Sequence, residues 1–314
     1  MSAKALSVFM SLIMLFSIVA PAVSAIDADH DHVTEKPEFN YVSLGDSMSN
    51  GYGMDNYGQS GYFDIFADGE VGHYGDHAYT TQFADYLALC GFDVNHSKLA
   101  ASAMLSRDLL FLVGGGEYVE DGYTGFIDYV GRYCWDLIDE NTGAIVDEEF
   151  FAKLQNLYIE KIADADLITM GLGNAEFGAY IMHKLMTCLG FGGTSYTEVI
   201  DYVQLENLMD TCDPQLVAKV IELRDKLLAK LPQDEALEGF EDEKIETIAN
   251  LFIYTVLDFC NNYTKILDRI VELLQELSKM KIILDSGVMV GELIPAIDTR
   301  MSDRWNHAMR GSTR

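Results

Sequence analysis

Tyr41-Val42-Ser43-Leu44-Gly45-Asp46-Ser47-Met48-Ser49-Asn50-Gly51-Tyr52-Gly53 is the stretch on which the reading of this chain turns. A short apolar, β-branched run ends in Gly-Asp-Ser and opens into a glycine-rich loop. That order puts the Ser47 hydroxyl at the carboxyl end of a strand, where open α/β sheets place their ligands. A second junction of the same kind, Leu167-Ile168-Thr169-Met170-Gly171-Leu172-Gly173-Asn174, carries an asparagine at the equivalent place.

Outward from these two junctions the hydrophobic period alternates. Tyr41–Leu44 reads as a strand, and Thr81–Cys90 as a helix with Phe83, Tyr86, Leu87 and Cys90 at helical spacing, stopped by Gly91. Phe92–Leu99 is the next expected strand. Glu148–Ala163 is an expected helix with Phe151, Leu154, Leu157, Tyr158 and Ile162 on one face, followed by the strand Leu167–Met170. Tyr263–Leu277 repeats the helical pattern through Ile266, Ile270, Leu273, Leu274 and Leu277, and Lys281–Leu284 reads as a further buried strand. Strands alternating with amphipathic helices predict βαβ units and a parallel sheet. Residues 177–262 break the alternation. They are mostly helical in pattern, acidic from Asp234 to Glu246, and read as a helical insertion or cap between two strands.

The chain has 314 residues, 50 acidic against 21 basic, and a net charge of −29. Such a surface repels nucleic acid and anionic lipid headgroups, because it cannot neutralise phosphates. Met1–Ala25 has one charge (Lys4), an apolar stretch from Ala5 to Ala20, and a small-residue exit at Val23-Ser24-Ala25. This is the pattern of a secretory signal peptide and predicts a secreted chain with no stable membrane anchor. Residues 26–39, with Asp27, Asp29, His30, Asp31 and His32, read as a polar linker rather than a metal site. Cys90, Cys134, Cys188, Cys212 and Cys260 are odd in number and dispersed, which fits neither a disulfide framework nor a zinc site. Cys188 and Cys212 are the pair to watch for a bridge, and buried free thiols are the favoured state.

Ser47 does not sit in a G-x-S-x-G elbow, since position 49 is serine, and no other serine fits that pattern. With Gly-Asp-Ser ending the first strand, the chain resembles the SGNH, or GDSL-type, hydrolases, which are serine esterases and lipases. The resemblance spans about residues 40–285 and implies a flavodoxin-like three-layer α/β/α sandwich with a parallel sheet, here with an inserted helical cap. It implies that Ser47 is the nucleophile and lends its N–H to the oxyanion hole. It implies that Asn174, within Gly171-Leu172-Gly173-Asn174, donates its side-chain amide to the oxyanion; the aspartate that follows in the family is Ala175 here, with Glu176 one step on. The segment Ser102–Leu110 aligns with the block whose glycine N–H completes the hole. Ala103 stands at the glycine place, where a backbone donor survives provided φ is negative. Pre-aimed donors of this kind stabilise the tetrahedral oxyanion of acyl transfer. The implied reaction is hydrolysis of small-molecule or carbohydrate-borne esters through an acyl-Ser47 intermediate, with no metal or cofactor.

The family's Asp-x-x-His block, which supplies the general base, has no counterpart at that spacing. Asp303-Arg304-Trp305-Asn306-His307 places histidine at the fourth position after aspartate and makes His307 the candidate base. Arg300, Arg304, Arg310 and Arg314 are half of the eight arginines in the chain, so residues 296–314 read as an atypical tail on a domain shortened before that block. Two other readings stand beside the esterase: a catalytically impaired fragment of one, or a carbohydrate- or partner-binding module on the same fold, using Tyr52, Tyr57 and Tyr62. His73, His77, His96 and His183 read as structural or surface residues. Phe177, Tyr180, Ile181, Met182, Leu185, Met186 and Leu189 follow Asn174 at helical spacing, either as ordinary core or as the wall of an acyl pocket.

Overall fold

The computed structural model describes residues 36–55, 71, 74–119, 123, 125–126, 149–190, 199–231, 241–276 and 282–285. Four parallel strands, β1 (Glu38–Gly45), β2 (Asp93–Lys98), β3 (Leu167–Gly171) and β4 (Ile282–Asp285), form one sheet in the order β2-β1-β3-β4. Tyr41 pairs with Leu167 and Gly45 with Gly171, while Glu38 to Ser43 pair with Asp93 to Lys98 on the other side. The strands lie within a residue or so of their predicted limits, except that β1 starts at Glu38, inside the segment read as linker. Its register partner Asp93 and the Asp93 N–H bond to Pro37 extend the pairing that far.

β1 is buried at every position from Tyr41 to Gly45, which is why it reads as an apolar run rather than an alternating one. Its side chains nevertheless divide between two faces. Val42 and Leu44, with Ile168 and Met170 of β3, enter the main core against α3 (Ser106–Leu112), α4 (Phe150–Asp164) and α8 (Asp242–Glu276). Tyr41 takes the opposite face, edge-on to Phe83 of α2 (Tyr79–Leu89) at 5.6 Å, with its hydroxyl 2.7 Å from that of Thr169. The pleat sends alternate side chains to opposite faces, and helices cover both, since β1 to β2 runs one way along the sheet and β2 to β3 to β4 the other. On α4 the predicted stripe supplies the fully buried Leu154, Tyr158 and Ile162, each aliphatic contributing about 1.5–3 kcal/mol of burial free energy.

Between β3 and β4 lie α5 (Ile181–Cys188), α6 (Tyr202–Thr211), α7 (Pro214–Lys230) and α8. Asp213 caps α7 by accepting the N–H groups of Gln215 and Leu216, with Pro214 at the first helical position. These helices own a second core built on Val199, Leu205, Leu208, Val220, Ile248, Leu251 and Leu257. The separate helix expected from Tyr263 is corrected. Residues 242–276 form one 35-residue helix, with no glycine or proline to interrupt it. Its first half packs on the insertion core and its second half, through Tyr263, Ile266, Ile270 and Leu273, on the sheet. Among the described residues no helix is long and apolar enough to cross a membrane.

Candidate functional site

Gly45 ends β1 with φ +125°, and a Cβ there would stand 2.0 Å from the Gly171 carbonyl oxygen. Only glycine lets β1 and β3 meet this closely at their carboxyl ends. The next residue, Asp46, donates its N–H to that same carbonyl at 2.9 Å and caps α1 (Ser47–Asn50), its Oδ1 accepting the Met48 N–H at 2.9 Å. Ser47 is thus the first residue of a helical turn at the carboxyl end of the central pair of strands. Asn50, at the other end of that turn, exchanges side-chain hydrogen bonds with Ser102 of the loop after β2.

The strand order places three loops side by side, the one after β1 between those after β2 and β3. In an open α/β sheet the crevice opens where the winding reverses, here between β1 and β3. Asn174 enters from the β3 side, and its Nδ2 donates to Ser47 Oγ at 3.0 Å. Gly173, at φ +108° and close against the Phe259 ring, turns the chain into this position. The backbone N–H groups of Asn174 and Ala175 both donate to Asp46 Oδ2, at 2.8 and 3.1 Å. Asp46 is fully buried, and burial lifts its carboxyl above the usual range against the lowering effect of the three N–H donors. Ser47 is half-buried and Asn174 exposed, so the pair opens to solvent.

Ala103 lies in the neighbouring loop, next to the Ser102 that binds Asn50. The condition of a negative φ is not met: Ala103 sits at +64°, the one non-glycine residue with positive φ among those described, and its N–H is a donor there at the expense of strain. The cause is the tight turn between Ala101, whose N–H donates to Gly45 O, and Met104, whose N–H donates to Ala101 O. A glycine would take that conformation freely; alanine holds it against a steric cost of about 1–2 kcal/mol. Among the described residues neither the Ser47 nor the Ala103 N–H is drawn into a backbone hydrogen bond. Asp108, in the same block, accepts the Leu105 N–H at 2.8 Å and caps α3.

Glu176 carries a role that sequence reasoning missed. Ala175–Tyr180 winds as a π-helical turn that leaves Phe177, Gly178 and Ala179 outside and buries Glu176. Its Oε1 accepts the Ser106 N–H, and burial pushes its carboxyl up to about 7. The signal lay in the Ala175-Glu176 pair, an acidic residue two positions past Asn174, after the end of β3. Of the aromatic and aliphatic residues after Asn174, Tyr180 and Ile181 are core. Phe177, Met182 and Met186 are exposed, as are Met48 and Tyr52 beside Ser47.

Three histidines are described, and none binds Ser47. His96 is half-buried on β2, stacked on Tyr41 and bonded through Nε2 to Ser43 Oγ at 2.9 Å; desolvation first, then Lys98, lowers it to about 3. His77 faces Asp55 at 3.6 Å, and His183 lies on the exposed face of α5 with its ring 5.7 Å from that of Tyr123. His307, His73, the leader and most of the linker lie outside the described residues. Cys188 and Cys212 are free thiols, as are Cys90 and Cys260. Among the described residues no cluster of three or more His, Cys, Asp or Glu is placed to hold a metal ion. Chemically, the arrangement pairs a hydroxyl with an amide donor beside it, on a backbone pinned by buried carboxylates. Comparison with protein-family models, with curated proteins and with solved structures gave no match to this chain.

Proposed function

We propose that the protein is a secreted GDSL-type serine esterase, hydrolysing carboxylic esters through an acyl-Ser47 intermediate. The observation that carries the reading is the 3.0 Å contact from Asn174 Nδ2 to Ser47 Oγ, made by two residues 127 positions apart. A turn-forming asparagine and a helix-starting serine have no reason of their own to meet. An oxyanion-hole amide and its nucleophile do. The strand order 2-1-3-4 supports the finer fold reading, a flavodoxin-like three-layer sandwich with a helical cap, whose ligand crevice falls between β1 and β3.

In this mechanism Ser47 Oγ attacks the ester carbonyl. The carbonyl oxygen, turning into an oxyanion, is held by Asn174 Nδ2 and by the N–H groups of Ser47 and Ala103. The proton leaves Oγ for a general base, for which His307, outside the described residues, is the candidate; the base passes it to the alcohol oxygen as the ester C–O bond breaks, and water then releases the acid from acyl-Ser47. A serine hydroxyl without such a base is a weak nucleophile. The exposed apolar side chains of Met48 and Phe177, next to Ser47 and one turn past Asn174, favour an ester with an apolar acyl group over a charged one. The net charge of −29 also disfavours anionic substrates.

The test is labelling of the purified protein with an alkyl fluorophosphonate, the modified residue being mapped by mass spectrometry. Esterase chemistry predicts one adduct, on Ser47, lost in Ser47→Ala, and turnover of aryl esters that falls in His307→Ala. A folded protein that takes no label would leave the binding-module reading, in which the same crevice holds a carbohydrate or a protein partner.

A further inference from the structure

Glu176 is only 4% exposed, two residues past Asn174, and its buried carboxylate is turned to Ser106. Its Oε1 accepts the N–H of Ser106, the first residue of α3 and three positions past Ala103. Its Oε2 has no hydrogen-bond partner among the described residues. Ser106 is held from a second side by Asn262 of α8, whose Nδ2 lies 3.5 Å from Ser106 Oγ and 3.0 Å from Asp258 Oδ2. Burying a carboxylate with one oxygen unsatisfied is costly, and an apolar side chain would fill the same space more cheaply. What an apolar side chain cannot do is accept the Ser106 N–H. That group stands at a helix start, where the first N–H groups have no intrahelical acceptor.

The bond has a consequence beyond capping. The loop after β3 carries Asn174, and the loop after β2 carries Ala103. Asp46 ties the first of these to the β1 end through the Asn174 and Ala175 N–H groups. Glu176 ties the same loop to the second. Two carboxylates therefore join all three strand ends that would hold an oxyanion.

We infer that Glu176 is a positioning residue of the acyl-transfer site, bracing the Asn174 loop against the Ala103 loop through the Ser106 N–H so that both donors aim at one oxyanion. This inference rests on the reading of Ser47 and Asn174 given above. The π turn is the device that makes it possible, since it turns Glu176 inward while Phe177 to Ala179 stay in solvent.

The experiment follows the rate at which an alkyl fluorophosphonate modifies Ser47 in wild type, Glu176→Ala, Glu176→Gln, Asn174→Ala and the Asn174→Ala/Glu176→Ala double variant, with thermal unfolding recorded for each. Glu176→Ala should slow labelling at least tenfold, since misplacement of about 1 Å at a reacting centre costs up to about a hundredfold. Glu176→Gln, which keeps an acceptor for Ser106, should recover most of that rate. With Asn174 already removed, Glu176→Ala should cost much less, because the brace then has one donor fewer to aim. A merely structural glutamate would lose the same factor in both backgrounds. Ser106→Pro attacks the bond from its other end: proline suits a first helical position, and the extended Leu105 before it tolerates proline, but the N–H is gone. It should slow labelling as Glu176→Ala does, and it decides the matter should the latter fail to fold. Wild-type rates in the folded variants, or equal losses in both backgrounds, would overturn the inference while leaving the esterase reading intact. No label on wild-type Ser47 would sink both.

Discussion

Asp46 accepts the Asn174 N–H at 2.8 Å through the same carboxylate that caps the helix of Ser47. One side chain thus sets the position of both the hydroxyl and the amide proposed to act together. Oδ1 serves the Met48 N–H, and Oδ2 serves those of Asn174 and Ala175.

Replacing that carboxylate by an amide should be costly on either side. In Asp46→Asn the NH2 group must face at least one N–H donor, leaving a buried clash of donors where a bond stood. The expected loss is about 1–3 kcal/mol of stability. Urea unfolding of the variant reads it directly, and an unchanged midpoint would show that the bonds carry no net stability. Ser47 labelling should slow as well, because the Asn174 loop loses its anchor.

If Asn174 holds the oxyanion as proposed, Asn174→Ala should lower kcat for ester hydrolysis by roughly 10²–10³, the usual loss for one oxyanion donor. KM should change little, since the bond strengthens mainly in the transition state. Asn174 is exposed, so the fold should tolerate the change. A folded variant with wild-type kcat removes Asn174 from the mechanism.

Ala103→Gly should stabilise the protein. The left-handed conformation at φ +64° costs alanine about 1–2 kcal/mol. The extra unfolded-state freedom of glycine returns roughly 0.5–1 kcal/mol of that. The net gain is at most about 1.5 kcal/mol, visible as a rise of a few degrees in Tm. Ala103→Val, with a branched side chain at the same φ, should lower Tm. Equal melting of the glycine and valine variants would refute the strain.

Two groups desolvated by the fold give opposite pH signatures. Glu176 is raised from 4.5 to about 7 in the fold, so its contribution to stability is complete below about pH 4.5 and is lost as pH rises to about 7. His96 is lowered from 6.5 to about 3, so its contribution is present above about pH 6.5 and is lost as pH falls toward 3. Each loss is of the order of a few kcal/mol. Urea midpoints from pH 4 to 8 separate them. Relative to wild type, Glu176→Gln should gain stability with rising pH, and His96→Gln should gain it with falling pH. Parallel curves for wild type and a variant would show that the group does not titrate as described.

Much of the fold was legible because its signals are local. The alternation of strand and helix periods, the stops at Gly91 and after Ala163, and the apolar run of β1 depend on residues within a turn or a pleat of one another. They placed β1, β2, β3, β4, α2 and α4 close to where they lie. Composition likewise marked residues 177–262 as something other than sheet. The halves of the candidate site were legible too, as a serine and an asparagine at two strand ends. The continuity of α8 across residue 262 was not, because its first half carries the pattern of one core and its second half that of another.

What the sequence determined by itself was which residues stand at strand ends, since a strand end is a local event. Which strand ends become neighbours is decided by pairing between segments far apart in the chain, Glu38 with Asp93 and Tyr41 with Leu167. Only that pairing set β1 between β2 and β3 and brought Asn174 to Ser47. The positive φ of Ala103 follows from the Gly45 carbonyl that anchors its turn, a partner on another strand. The burial of Glu176 follows from the helix start that α3 presents to it. The inward or outward facing of Tyr180 and Phe177 follows from a π turn that shifts every later side chain around the helix. Each is a long-range contact overriding a local preference, and a hydrophobic period read along one segment contains no term for the segment that will pack against it.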